Sequence, residues 1–198
     1  MRTFRTRSEF TMKVLWNSMI QSRLDYCSQL WSPSLQSEIA KVEEVQRTFT
    51  KRIDGMENLP YRDRLKKLRM YSQERRRDRY RCIFVWKISM GLVSGYKLEF
   101  RGEGTRRGRE CEVAESVRSA PTAVKKAREN SLSVKGARLF NLLPADVRNI
   151  TSNNVNHFKT KLDEFLKDIP DEPDLPRAAE SNCLLHQIPM FRVRQTQN

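Results

Sequence analysis

The sequence predicts a mainly α-helical chain: a helical bundle, a long irregular connection and a C-terminal helix, with room for minor β structure. Three observations predict it. Apolar residues recur every three or four positions in several separate segments. Ser, Pro and Gly stand where those segments begin and end. Hydrophobic residues make up 38% of the 198 and aromatics 9%, enough for one modest core with solvated extensions.

The first helix is expected over 10–31, because Leu15, Met19, Ile20, Leu24, Cys27 and Trp31 stack along one face. Ser32-Pro33 closes it and opens the next, Ser as N-cap and Pro at the first helical position. That second helix carries Leu35, Ile39, Val42, Val45/Gln46, Phe49 and Ile53 on one face. Glu38, Lys41, Glu44, Arg47, Lys51 and Arg52 lie on the other, and the helix stops near Gly55. A short third helix starts at Pro60 and spans Leu65 and Leu68; Ser72 caps a fourth, through Tyr80, Ile83, Phe84, Lys87 and Ile88, which ends at Gly91. From Val93 to Asn130 the periodicity fades, with short strands expected around 96–100 and 131–134. Val155, Phe158, Leu162, Phe165/Leu166 and Ile169 mark a last helix over 154–168, followed by a Pro-rich, acidic, extended tail. The expected organisation is therefore a basic helical domain over 1–92, a connection over 93–130, a C-terminal helical segment over 131–169 and a tail over 170–198.

Chemistry is notable for what the sequence omits. No run approaches the roughly 18 apolar residues of a membrane helix; the longest charge-free stretch, 26–37, is half polar. The basic N-terminus leads into no apolar run, so it does not read as a secretory signal, and an intracellular site, nucleus or cytoplasm, is expected. Cys27, Cys82, Cys111 and Cys183 are widely spaced, without CxxC or a Cys/His cluster, and read as separate reduced thiols. His157 and His186 lack partners at metal-ligand spacing, and the seven glycines form no phosphate loop. The adjacent acids Glu43-Glu44 and Asp171-Glu172 read as solvated charge. No catalytic residue, metal site, cofactor or small-molecule substrate is expected.

What is concentrated is positive charge. The chain carries +14, of which +13 lies in residues 1–109. Residues 47–82 alone hold 13 Lys+Arg against 5 Asp+Glu, interleaved with Phe49, Tyr61, Tyr71 and Tyr80. Guanidinium groups fork onto phosphate oxygens, and clustered cations gain from counterion release on nucleic acid. Aromatic side chains beside them could stack on the bases of a single strand. Against this stands the plainer reading of a solvated helix face with ion pairs to Glu74 and Asp78. The imbalance covers several consecutive helices, which favours RNA, DNA or an RNA/DNA hybrid held through its phosphates. The expected contacts are Arg47, Lys51, Arg52, Arg62, Arg64, Lys66, Lys67, Arg75, Arg76, Arg77 and Arg79.

Leu24-Asp25-Tyr26-Cys27 followed by Leu30-Trp31-Ser32-Pro33 resembles the segment downstream of the polymerase palm in non-LTR retrotransposon reverse transcriptases of the jockey and chicken-repeat type. The likeness continues in order through Val45-Gln46-Arg47-Thr48, Arg64-Leu65, Glu74-Arg75-Arg76-Arg77, Trp86-Lys87-Ile88, Ser131-Leu132-Ser133, Phe140-Asn141-Leu142-Leu143-Pro144 and Phe158-Lys159, covering roughly residues 12 to 176. It departs at Phe140, where the family usually has Trp, and at Tyr80-Arg81-Cys82-Ile83. The resemblance implies a thumb-like helical unit that grips template and primer through backbone phosphates. It also implies catalytic aspartates in an Asp-Asp turn, and no Asp-Asp pair occurs in this sequence. The expectation is thus a non-catalytic, nucleic-acid-binding thumb and post-thumb portion of an RNA-directed DNA polymerase, for which a palm-containing chain would be a partner. The competing expectation is a structural or interaction protein, or a decayed element remnant without nucleic-acid binding.

Overall fold

The computed structural model describes residues 6–102, 108–113, 121–152 and 154–171. The expected tail from 172 onward, with Cys183 and His186, lies outside the described residues, as do 103–107 and 114–120 of the connection. The protein is mainly helical. Its described elements run α1 (Glu9–Leu15), a wide π-type turn (Trp16–Gln21), α2 (Ser22–Asp25), α3 (Ser28–Trp31), α4 (Gln36–Thr50), α5 (Tyr61–Leu68) and α6 (Gln73–Ser89). They continue with β1 (Phe100–Arg101), β2 (Glu110–Cys111), α7 (Thr122–Glu129), a second π-type turn (Leu132–Gly136), α8 (Ala137–Leu142), α9 (Ala145–Arg148) and α10 (Val155–Lys167). No described helix is long and apolar enough to cross a membrane.

The chain divides into two compact units. The first holds the described residues up to Arg77 together with Asp171; the second runs from Asp78 to Pro170. Residue 92, where the sequence pattern changes, lies inside the second unit.

The single helix expected over 10–31 is an unbroken helical run over 9–25, with a π-type segment inside it, followed after a break by the short α3. Glu9 opens α1, with the Ser8 hydroxyl accepting from the Thr11 amide. The π-type turn then shifts the register, so that Met12 and Trp16 are buried while Met19, Cys27 and Trp31 face solvent. Cys27 adopts a left-handed conformation (φ 49°) between α2 and α3, which no continuous helix tolerates. The expected Ser32-Pro33 cap is not used either: α4 begins four residues later, with extended Leu35 at its N-cap.

Met12, Trp16, Phe49, Ile53, Met56 and Leu68 form the core of the first unit, with the Trp16 and Phe49 ring centroids 5.0 Å apart. A buried amide chain crosses beside it. Gln21 accepts from Trp16 Nε1 at 2.8 Å and from Gln73 Nε2 at 3.1 Å, Gln73 also donates to Gln46 at 2.6 Å, and Gln46 donates to the Tyr71 carbonyl at 3.1 Å. Each side chain satisfies its neighbour, as buried polar groups must.

Several expected boundaries hold for the expected reasons. Pro60 immediately precedes α5, the Ser72 hydroxyl accepts the Arg75 amide at the start of α6, Gly91 follows α6 at φ 68°, and Asn154 caps α10. The connection carries one antiparallel pair, Phe100↔Cys111 and Arg101↔Glu110. Asn141 extends that pairing, since its amide accepts from Cys111 N and donates to Cys111 O, both at 2.8 Å. Residues 131–134, expected as a strand, instead enter the π-type turn that runs into α8. There Gly136 permits a close approach: a Cβ on it would lie 3.2 Å from Val85 Cγ2 and 2.7 Å from Leu132 Cδ1. Around that contact Val85, Trp86, Leu139, Phe140, Phe158 and Leu162 bury the second core.

Candidate nucleic-acid interface

The eleven expected cations are sorted by burial into three groups. Arg75 is fully buried, and Arg64 and Arg77 nearly so. Arg76 and Arg79 are half-buried and committed to carboxylates. Within the first unit Arg76 grips Asp25 (Nε to Oδ1 3.1 Å, Nη2 to Oδ2 2.9 Å); within the second, Arg79 grips Asp163 (2.6 and 2.7 Å). The run 75–79 is therefore fold-building, neither the open phosphate face expected of it nor the solvated ion-paired face that was its alternative. The run occupies the first two turns of α6, the longest described helix, where Asp78 is also buried and paired with Arg81 at 2.8 Å. Lys51, Arg52, Lys66 and Lys67 are exposed, with no carboxylate at ion-pair distance among the described residues. Arg47 and Arg62 are half-buried.

Four of these cations line one concave site. A cleft of about 600 Å³ is lined by Arg47, Lys51, Arg52 and Arg64, by Glu44 and Glu57, and by the stretch Asn58-Leu59-Pro60-Tyr61. Two elements place them. Arg47 and Lys51 are four residues apart and share a face of the C-terminal turn of α4, where cations are favoured by the helix dipole. Pro60 then sets the chain direction at the entry to α5, delivering Tyr61 and Arg64 to the opposite wall.

Tyr61 organises that wall. Its ring is buried beneath two guanidiniums, Arg47 Cζ at 4.5 Å from the centroid and Arg64 Cζ at 5.4 Å, a cation–π arrangement. Arg64 Nη2 also donates to the Arg47 carbonyl at 3.3 Å, and Arg47 Nε lies 3.3 Å from Glu44 Oε2. The phenol donates to Glu43 Oε1, while Glu43 Oε2 accepts the Gln73 amide at 2.9 Å. Burial pushes the phenol well above its ordinary range, with the Glu43 charge adding to the effect. Burial likewise pushes the Glu43 carboxyl up to about 7; Asp171 adds to the rise, while the Tyr61 hydrogen bond, Arg77 and the Gln73 amide oppose it.

Glu43 is thus no solvated acid, and its importance was missed at the sequence level. The signal was present: Glu43 and Gln46 share a helical face with Ile39, Phe49, Thr50 and Ile53, whereas Val45, assigned to the apolar face, is exposed. The stacking expectation is corrected for two of the four interleaved aromatics, while Tyr71 and Tyr80 are half-buried. Phe49 and Tyr61 are buried, the first in the core and the second beneath arginines, so neither offers a free face to a base. Asp171 has a structural partner too, accepting from both the amide (2.8 Å) and hydroxyl (2.7 Å) of Ser72.

Burial of Glu43 gives stability a pH slope. Between about 4.5 and about 7 the folded state keeps a proton that the unfolded chain has released, so unfolding free energy falls as pH rises through that window. The fall amounts to about 3 kcal/mol. Glu43→Gln keeps an acceptor for the Gln73 amide, and its amide can donate to Tyr61 Oη. Urea unfolding at the two ends of the window is expected to show the slope in the wild type and its absence in the variant.

Among the described residues no group of three or more His, Cys, Asp and Glu is arranged to hold a metal ion. His157 lies 3.2 Å from the Ser152 hydroxyl, and burial raises the Cys82 thiol far above its usual range and the Cys111 thiol to about 12. These thiols are protonated and poor nucleophiles. No family model matches the chain, and neither the curated proteins nor the solved structures include a match to it.

Proposed function

We propose that this chain binds the phosphate backbone of RNA, DNA or an RNA/DNA hybrid without reading sequence and without catalysing a reaction. The observation that carries this reading is the convergence of Arg47, Lys51, Arg52 and Arg64 on one cleft. Lys51 and Arg52 are exposed there, and the aromatic ring is covered by cations. Such a surface offers charge and guanidinium donors to phosphate, and neither a stacking platform nor a base-reading helix. Taken with the ordered resemblance described above, the proposal extends to a thumb and post-thumb portion of a non-LTR retrotransposon RNA-directed DNA polymerase, acting inside the cell with a palm-containing chain. Binding of a fluorescein-labelled RNA/DNA hybrid is expected to weaken steeply with salt, the slope of log K against log salt being about −0.9 for each duplex phosphate neutralised. Undetectable binding at low salt would overturn the proposal.

One observation favours a second reading, that of an interaction protein. Phe10, Tyr26 and Leu30 are 79%, 77% and 87% exposed in the first unit. Exposed large apolar groups mark surfaces that meet other chains where they lie together in one patch. Sedimentation with and without the hybrid separates the readings: a salt-sensitive shift on adding hybrid supports the first, and concentration-dependent self-association indifferent to hybrid supports the second.

A further inference from the structure

Glu43 stands directly behind the cleft. It lies on α4 one turn before Arg47, its carboxylate takes the Tyr61 hydroxyl from α5 and the Gln73 amide from α6, and the Tyr61 ring it holds is the surface on which Arg47 and Arg64 lie. We propose that Glu43 is a positioning residue and charge gate for the phosphate site, taking up a proton when the backbone binds. The inference rests on the function proposed above and adds its regulation.

The charges facing Glu43 set the direction. Burial and then Asp171, held by Ser72, favour the acid; the Tyr61 hydroxyl, Arg77 from α6 and the Gln73 amide favour the carboxylate, and Arg47 and Arg64 lie over the Tyr61 ring that Glu43 holds. Ionised Glu43 cancels one positive charge behind a wall that is meant to attract anions. Protonated, it leaves the four cleft cations less opposed. The protonated form keeps its geometry, because its carbonyl oxygen still accepts the Gln73 amide and its hydroxyl exchanges donor and acceptor roles with the phenol. A phosphate in the cleft in turn makes ionisation of Glu43 harder, and by linkage the two effects are equal in size. The carboxyl titrates near neutrality, so this coupling acts within the range of ordinary cellular pH.

The test is hybrid affinity against pH at fixed salt. Wild-type affinity is expected to rise severalfold, up to about tenfold, between about pH 8 and about pH 6. Glu43→Gln should flatten that profile and bind at the higher pH as the wild type does at the lower. Tyr61→Phe removes the hydroxyl that favours the carboxylate, so the midpoint should move to higher pH; this variant retains the ring and serves where the first fails to fold. Salt-sensitive binding whose pH profile is identical in wild type and Glu43→Gln, or in wild type and Tyr61→Phe, overturns the gate and leaves the proposed function intact. Absence of salt-sensitive binding at every pH overturns both.

Discussion

Reversing Lys51 and Arg52 together to Glu is expected to weaken the proposed hybrid binding by tenfold or more at low salt and to leave the unfolding transition within about 0.5 kcal/mol of wild type. Both side chains are exposed at the C-terminal end of α4 and line the cleft, so their loss touches no core contact. The neutral pair Lys51→Ala with Arg52→Ala should also reduce the salt slope by about two, one for each lost phosphate contact. Reversal of Arg75 gives the opposite pattern. That guanidinium is fully buried, and putting a carboxylate in its place leaves buried charge without its native compensation, a cost of about 3–5 kcal/mol set against a typical total of about 5–15. Arg75→Glu is therefore expected to abolish the proposed binding by abolishing the fold. Fluorescence anisotropy and urea denaturation on the same preparations distinguish the two. Wild-type affinity in the Lys51/Arg52 reversal would place the contact surface elsewhere.

This contrast shows where the sequence was legible and where it was not. Helices α5, α6 and α10 could be read because period and boundary residues agree: Pro60, Ser72, Gly91 and Asn154 stand where the backbone requires them, whereas α4 was legible from its period alone. The N-terminal segment could not be, because the π-type turn at Trp16–Gln21 and the left-handed Cys27 have no residue signature that separates them from a helix continuing. Charge was legible as a total and illegible as a surface. An arginine in a run of arginines looks the same whether it meets solvent or Asp163, and the partners of Arg76 and Arg79 lie 51 and 84 residues away in sequence. Lys51 and Arg52 were recognisable since they follow the last buried turn of α4. Glu43 was hidden by the habit of placing acids outside, although its register with Ile39 and Phe49 put it inside.

Trp86→Ala is expected to cost about 3–5 kcal/mol. Trp86 is fully buried, stacks on Phe158 at 4.8 Å between centroids and 13° between planes, and donates its indole N–H to the Ile150 carbonyl at 2.9 Å. Truncation opens a cavity, forfeits the stack between α6 and α10 and strands a carbonyl. Trp86→Phe keeps a ring against Phe158 and loses the donor, so it should cost about 1–3 kcal/mol, the range for one buried group left unsatisfied. Urea unfolding followed by circular dichroism measures both, and a truncation cost below about 1 kcal/mol would contradict this packing. The result bears on function because Trp86-Lys87-Ile88 and Phe158 are among the residues that carry the resemblance to reverse transcriptases. Trp86, Ile88 and Phe158 are buried, so the demands of a stable helical scaffold account for them without any contact to nucleic acid. At these positions the resemblance is no argument for binding, which must be decided at Arg47, Lys51, Arg52 and Arg64, where charge reaches the cleft.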